Sequence, residues 1–206
     1  ETIGSIAYIS KFRKILKKNV ICGFVLTCVG DERGYSFVNT PNENTLADEA
    51  ILSSLFNKKN FKRYSFKDRG SDERQYCYPG VDLPVCSFSR SKEYPEYHTD
   101  KDNFNVVTQK GLDGSFEAMK DIIDAFELGP YPQNTKICEP QLGKRNLYTS
   151  HISQKGIYKE EMYTRKNLLA YSDGKRSLFK ICNLLKIPLK KIIGQYNILK
   201  KNKLLK

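Results

Sequence analysis

The apolar positions of this chain change period several times, and each change marks an element. Near the start, Ile6, Ala7, Ile9, Phe12 and Ile15 recur at helical spacing. Residues 20–29 (VICGFVLTCV) are almost wholly apolar and rich in β-branched side chains. That composition predicts a central strand buried on both faces. Residues 33–44 are rich in Asn, Pro and Gly and read as a loop. Thr45 to about Lys58 reads as a helix with Leu46, Ala50, Ile51 and Leu55 inward, and Lys62–Phe66 as a short strand. A Pro79-Gly80 turn leads into an expected apolar strand with Val81, Leu83 and Val85. Gly111–Gly114 reads as a turn, followed by an amphipathic helix over Ser115–Leu128 that Gly129-Pro130 stops.

Beyond it the pattern becomes more compact. Residues 130–148 form a Pro-rich connector that is expected to return as a strand, and 158–171 suggests a helix. After the Asp173-Gly174 turn, helices are predicted over Arg176–Leu185 and Leu189–Leu199, separated only by Lys186-Ile187-Pro188. Leu204-Leu205 could start a strand. Three short helices, one tight turn and a closing strand describe a winged helix-turn-helix.

Charge sharpens that division. Residues 147–206 hold 14 Lys and Arg against 3 Asp and Glu, whereas residues 1–146 hold 21 against 20. The net +12 of the chain is therefore almost all in its last part. The expected layout is an α/β domain over 1–130, a connector over 131–149 and the winged helix over 150–206. Apolar content of 39% with 12% aromatics fits a packed protein rather than a disordered one. No run approaches the ~18 apolar residues of a membrane span. Residues 1–20 lack a basic start followed by an apolar core, so no signal peptide is expected. The six cysteines (22, 28, 77, 86, 138 and 182) form no CxxC pair. They are expected to be reduced thiols in a cytoplasmic protein, several of them buried.

Candidate chemistry concentrates between Gly70 and Phe104. Gly70-Ser71-Asp72, then Gly80-Val81-Asp82-Leu83-Pro84-Val85, then Tyr97-His98-Thr99 with Asp102, resembles the last third of the co-catalytic zinc aminopeptidase fold. The nearer resemblance is to a bacterial branch of aminopeptidase-like proteins that carry a C-terminal winged helix and accompany polysaccharide-biosynthesis genes. The resemblance implies a mixed-sheet, phosphorylase/hydrolase-like α/β domain, of which this chain looks like the C-terminal portion. The opening Glu1-Thr2-Ile3-Gly4 then reads as the interior of a domain. The resemblance implies an amide- or peptide-bond hydrolase with zinc as cofactor and a peptide or amide-containing small molecule as substrate, its site incomplete in this chain because the family's earlier His and bridging Asp are expected upstream of Glu1. By resemblance His98 is a metal ligand, with Asp100 or Asp102 near enough to orient its second ring nitrogen. Glu1 stands at the general-base position.

The chain also departs from the family. Thr2 and Thr27 occupy positions where the family has acidic zinc ligands, and Glu73 stands where it usually has His. Asp31 and Glu32 are candidate substitutes, and Asp72 and Glu73 are candidate site-lining residues. Two other readings stay open. One is a non-catalytic binding scaffold. The other is nucleic-acid binding through Lys186, Lys190, Lys191 and Lys200 of the winged helix, disfavoured because Arg, the best base reader, is nearly absent there.

Overall fold

The computed structural model describes residues 2–148 and 157–206. The chain divides into two compact units, Glu1–Lys120 and Asp121–Lys206, with one long helix running across the division.

Unit 1 opens with helix α1 (Ile3–Asn19), followed by strands β1 (Gly23–Leu26) and β2 (Tyr35–Val38). Helix α2 (Leu46–Leu55), β3 (Phe61–Tyr64), a one-turn helix α3 (Glu73–Tyr76), β4 (Val85–Ser89) and α4 (Gln109–Leu128) follow. The sheet order is β1-β4-β2-β3. β1 runs parallel to β4 and β2 parallel to β3, while β2 and β4 are antiparallel, so the sheet is mixed. α2 packs on β4 and β2 and buries Ala47, Ala50, Ile51 and Leu55 against Phe37, Cys86 and Phe88. Its start is fixed by a capping box, in which Thr45 and Asp48 satisfy each other's backbone N–H groups. Cys77, Leu83 and Val85 form a second cluster with Leu16, Val20, Val25 and Phe66.

Several expectations need correction. The apolar run at 20–29 is not a central strand. Its regular part, β1, lies at an end of the described sheet, and Leu26 is 54% exposed. The centre belongs to β4, every residue of which is buried, although two of its five residues are serines. Ser89 is tolerated there because its hydroxyl meets that of Ser36 on β2 at 2.9 Å. Residues 33–44 are not all loop, since β2 lies within them. The strand expected from Val81 begins only at Val85. Asp82 adopts a left-handed backbone (φ 53°) and Pro84 offers no N–H to a ladder. Gly111–Gly114 is not a turn but part of α4. Its glycines serve close approach: a Cβ on Gly111 would lie 1.8 Å from the Gly30 carbonyl oxygen.

Unit 2 contains α5 (Ile157–Tyr171), α6 (Leu178–Leu185) and α7 (Leu189–Lys201). Ser177 caps α6 by accepting from the Lys180 N–H, and Lys186 ends it in a left-handed conformation. Leu168, Phe179, Ile181, Ile192, Tyr196 and Leu199 form its core. Residues 132–135 hydrogen-bond to 172–174 on one side and 204–206 on the other. These are minimal strands around a three-helix core, the architecture of a winged helix. Among the described residues no helix is long and apolar enough to cross a membrane.

Candidate functional site

Because β1 and β4 are parallel, their carboxyl ends lie side by side, where α/β sheets place their ligand sites. The pairing persists past the strands: Thr27 N–H donates to the Phe88 carbonyl at 3.1 Å and Arg90 N–H to the Cys28 carbonyl at 3.0 Å. Cys28 there has φ 51°, a conformation that non-glycine residues rarely hold outside constrained sites. A pocket of about 300 Å³ opens at this end, lined by Thr27 and Cys28 after β1, Ser87 and Ser89 of β4, Lys92, Glu73 and His98 among others.

Glu73 is its central polar group. The Gly70-Ser71 turn folds back on α3, so that Glu73 Oε1 accepts the N–H groups of Gly70 (2.8 Å) and Ser71 (3.0 Å). The residue is fully buried, and its second oxygen, Oε2, has no hydrogen-bond partner among the described residues. A buried carboxylate oxygen without a donor is costly, which singles Glu73 out among the acids of this region. His98 reaches the same pocket from the loop after β4, with φ 63° and its ring stacked on Tyr97 at 3.9 Å. It is exposed, on the solvent side of the pocket.

The remaining candidates separate. Asp72 is turned to α1, where it accepts the Thr2 N–H at 2.6 Å and the Ser5 hydroxyl at 3.3 Å. Asp31 is buried and ties its own loop to the segment after β4 through Arg33 N–H, Ser91 N–H and the Ser91 hydroxyl. Glu32 is exposed; hydrogen bonds from Lys110 and Thr108 hold its carboxyl below the usual range. Glu1 lies outside the described residues. Asp102 accepts a hydrogen bond from Tyr94 at 2.8 Å rather than from His98. Burial, followed by that bond, pushes the Tyr94 phenol well up. Cys28, Lys92 and the two serines were not visible as site residues in the sequence. The signal that could have found them is the serine alternation in β4, unusual for a buried strand. A larger groove of about 640 Å³ runs along α1, but no acid, thiol or imidazole lines it.

Among the described residues no group of three His, Cys, Asp or Glu side chains could hold a metal ion. A catalytic zinc takes three protein ligands plus water, so the described residues alone do not fit one. In unit 2, Lys191 pairs with Glu160, and Lys200 donates to the Leu128 carbonyl and lies over the Tyr196 ring. Lys186 serves as the left-handed cap of α6, and Lys190 is exposed on α7.

Residues 1–129 match the family model described as a domain of unknown function, DUF4910, and residues 130–206 match a winged helix-turn-helix model. The chain is 35% identical over 184 residues to a Clostridium acetobutylicum protein named as a candidate polysaccharide-biosynthesis protein with an aminopeptidase-like domain; the match covers 88% of this chain and 42% of that protein. It also superimposes on the 2.37 Å crystal structure of a candidate peptidase from Clostridium acetobutylicum with a TM-score of 0.80 and 32% identity, covering 100% of this chain and 46% of the other. The chain thus spans less than half the length of each relative.

Proposed function

For a chain that belongs to the DUF4910 family, we propose an aminopeptidase-like hydrolase of amide or peptide bonds, linked to surface-polysaccharide synthesis. The observation that carries this reading is that buried Glu73 and His98 line one pocket at the carboxyl ends of β1 and β4. The peptidase and polysaccharide-biosynthesis names of the two relatives support it. Glu73, lining the pocket, orients the amide beside the strand ends. His98, at the same pocket, is the proposed zinc ligand. Water adds to the carbonyl carbon as Glu1 takes its proton, the C–N bond breaks, and that proton passes to the departing nitrogen, leaving a carboxylic acid and an amine. Glu1 at the base position and zinc as cofactor belong to the proposal, and no step is routed through the metal because the described residues alone do not supply three ligands for it. Elemental analysis of purified protein tests the zinc part: zinc that disappears in His98→Ala supports it, and zinc content unchanged by His98→Ala removes the ligand role.

The small donor count, with Thr2 and Thr27 at acid positions, favours one second reading, a binding scaffold without catalysis. Ligand binding at the pocket without amine release from any amide would select it. Nucleic-acid binding has weaker support, because Lys191 and Lys200 are already engaged within unit 2. Salt-dependent duplex binding lost in Lys190→Glu would revive it.

A further inference from the structure

Beside the candidate site lies a second pocket, of about 280 Å³, that belongs entirely to unit 1. Arg33, Lys62, Arg90 and Lys92 line it together with Tyr64, and Glu93 is its one acid. These charges are unevenly compensated. Arg33 donates to Glu96 at 2.8 Å, and Lys92 lies 3.9 Å from the largely exposed Glu93. Lys62 has no ion-pair partner among the described residues, although it stands on the exposed side of β3. Arg90 is the anomaly. It is 94% buried as a residue (6% exposed), yet no carboxylate among the described residues meets its guanidinium. Its Nε donates to the Gly34 carbonyl at 2.7 Å, its Nη1 to the Gly111 carbonyl at 3.3 Å, and its plane lies 3.8 Å from the Tyr35 ring centroid. Nη2 has no partner among the described residues. Glu32 feels the Arg90 charge, but it is exposed and bound to Lys110. Buried charges in proteins are paired, and a guanidinium with neutral partners, next to an unpaired ammonium, forms an anion site.

The two pockets share a wall. Lys92 lines both, and the Ser36 hydroxyl of one lies 2.9 Å from the Ser89 hydroxyl of the other. We propose that the Arg90–Lys62 pocket binds a carboxylate or phosphate group, and that the ligand of this domain carries such an anion beside its reacting amide. The second half of the statement rests on the hydrolase reading; the first does not. The ligand class is therefore an acidic amide, with the charged group at Arg90 and Lys62 and the amide between Glu73 and His98.

The test is calorimetric titration of the full chain at low salt with inorganic phosphate and, separately, with glucuronate, a sugar carboxylate. Variants are Lys62→Glu and, as a control of equal charge change, Lys67→Glu, which lines neither pocket. The proposal expects saturable binding of at least one anion, about tenfold weaker in Lys62→Glu and kept in Lys67→Glu. Phosphate alone identifies a phosphoryl ligand, and glucuronate alone a carboxylate. Arg90→Lys, which keeps charge and loses the fork, should bind more weakly still; Lys62→Glu, at an exposed position, decides the matter if Arg90→Lys fails to fold. No saturable binding of either anion, or equal loss in Lys62→Glu and Lys67→Glu, overturns the inference. Release of amine from neutral amides without anion binding sinks this inference alone. Anion binding without release from any amide sinks the hydrolase reading and the acidic-amide half that rests on it, and leaves the anion site standing.

Discussion

Gly111→Ala should be among the most damaging single-methyl additions in unit 1. A Cβ at Gly111 would stand 1.8 Å from the Gly30 oxygen, 2.4 Å from the Gly30 carbon and 2.9 Å from the Asp31 oxygen. All three are backbone atoms, so no side-chain rotation relieves the clash. Reaching the closest tolerated contact, ~3 Å, requires α4 and the loop after β1 to part by about 1 Å. That separation would also stretch the bond from Thr108 N–H to the Gly30 carbonyl, now 2.9 Å. Overpacking of side chains alone costs about 1–3 kcal/mol, and a contact between two backbones belongs at or above the top of that range, about 3 kcal/mol. For a chain of this size that lowers Tm by roughly 6–12 °C. Gly4→Ala is the matched control. Gly4 lies in α1 with nothing within 4 Å of its Cβ position, so alanine should stabilise by about 0.5 kcal/mol. Urea unfolding of both variants supplies the comparison. Gly111→Ala within about 0.5 kcal/mol of wild type would refute the argument that this close approach holds α4 to the site loop.

Other predictions follow from single contacts. Glu73→Ala removes the acceptor of two backbone N–H groups and should cost about 3 kcal/mol, whereas Glu73→Gln, which keeps an acceptor oxygen, should cost about 1 kcal/mol; denaturant melts distinguish them. Arg165→Ala in unit 2 loses bonds to Gln195, the Leu147 carbonyl and Glu161, and should cost about 3 kcal/mol with no rescue by lysine. Burial raises the thiols of Cys22 and Cys77 to about 11 and Cys182 to about 12, from 9.0. The unfolded chain loses these protons first, so stability should fall as pH rises from about 9 to 12; a flat urea midpoint across that range would contradict it. Cys138, exposed where Cys77, Cys86 and Cys182 are buried, should react fastest with a thiol reagent in the native protein.

The helices were the most legible part of the sequence because their signals are local. Thr45 with Asp48 announces α2, and Ser177 and Pro188 open α6 and α7. Sheet order was not legible, because hydrophobicity alone does not rank strands. The run at 20–29 is more apolar than β4, yet β4 lies between β1 and β2, and paired serines make its polar positions tolerable. Gly111 looked like a turn because a glycine's sequence context does not distinguish chain reversal from backbone contact. For the site, the His98 and Glu73 segments were recognisable, but not which carboxylate enters the pocket. Asp72 and Glu73 are adjacent at the start of α3, yet the first braces α1 and the second is buried at the pocket.

The most direct test of the central claim is amine release from a panel of aminoacyl amides by the full chain supplied with zinc. Wild type, Glu73→Gln and the exposed-residue control Glu43→Gln would be run in parallel. The account predicts release by wild type and Glu43→Gln, and a fall of at least about tenfold in Glu73→Gln. Equal release by Glu73→Gln, or no release by wild type from any amide, would contradict it.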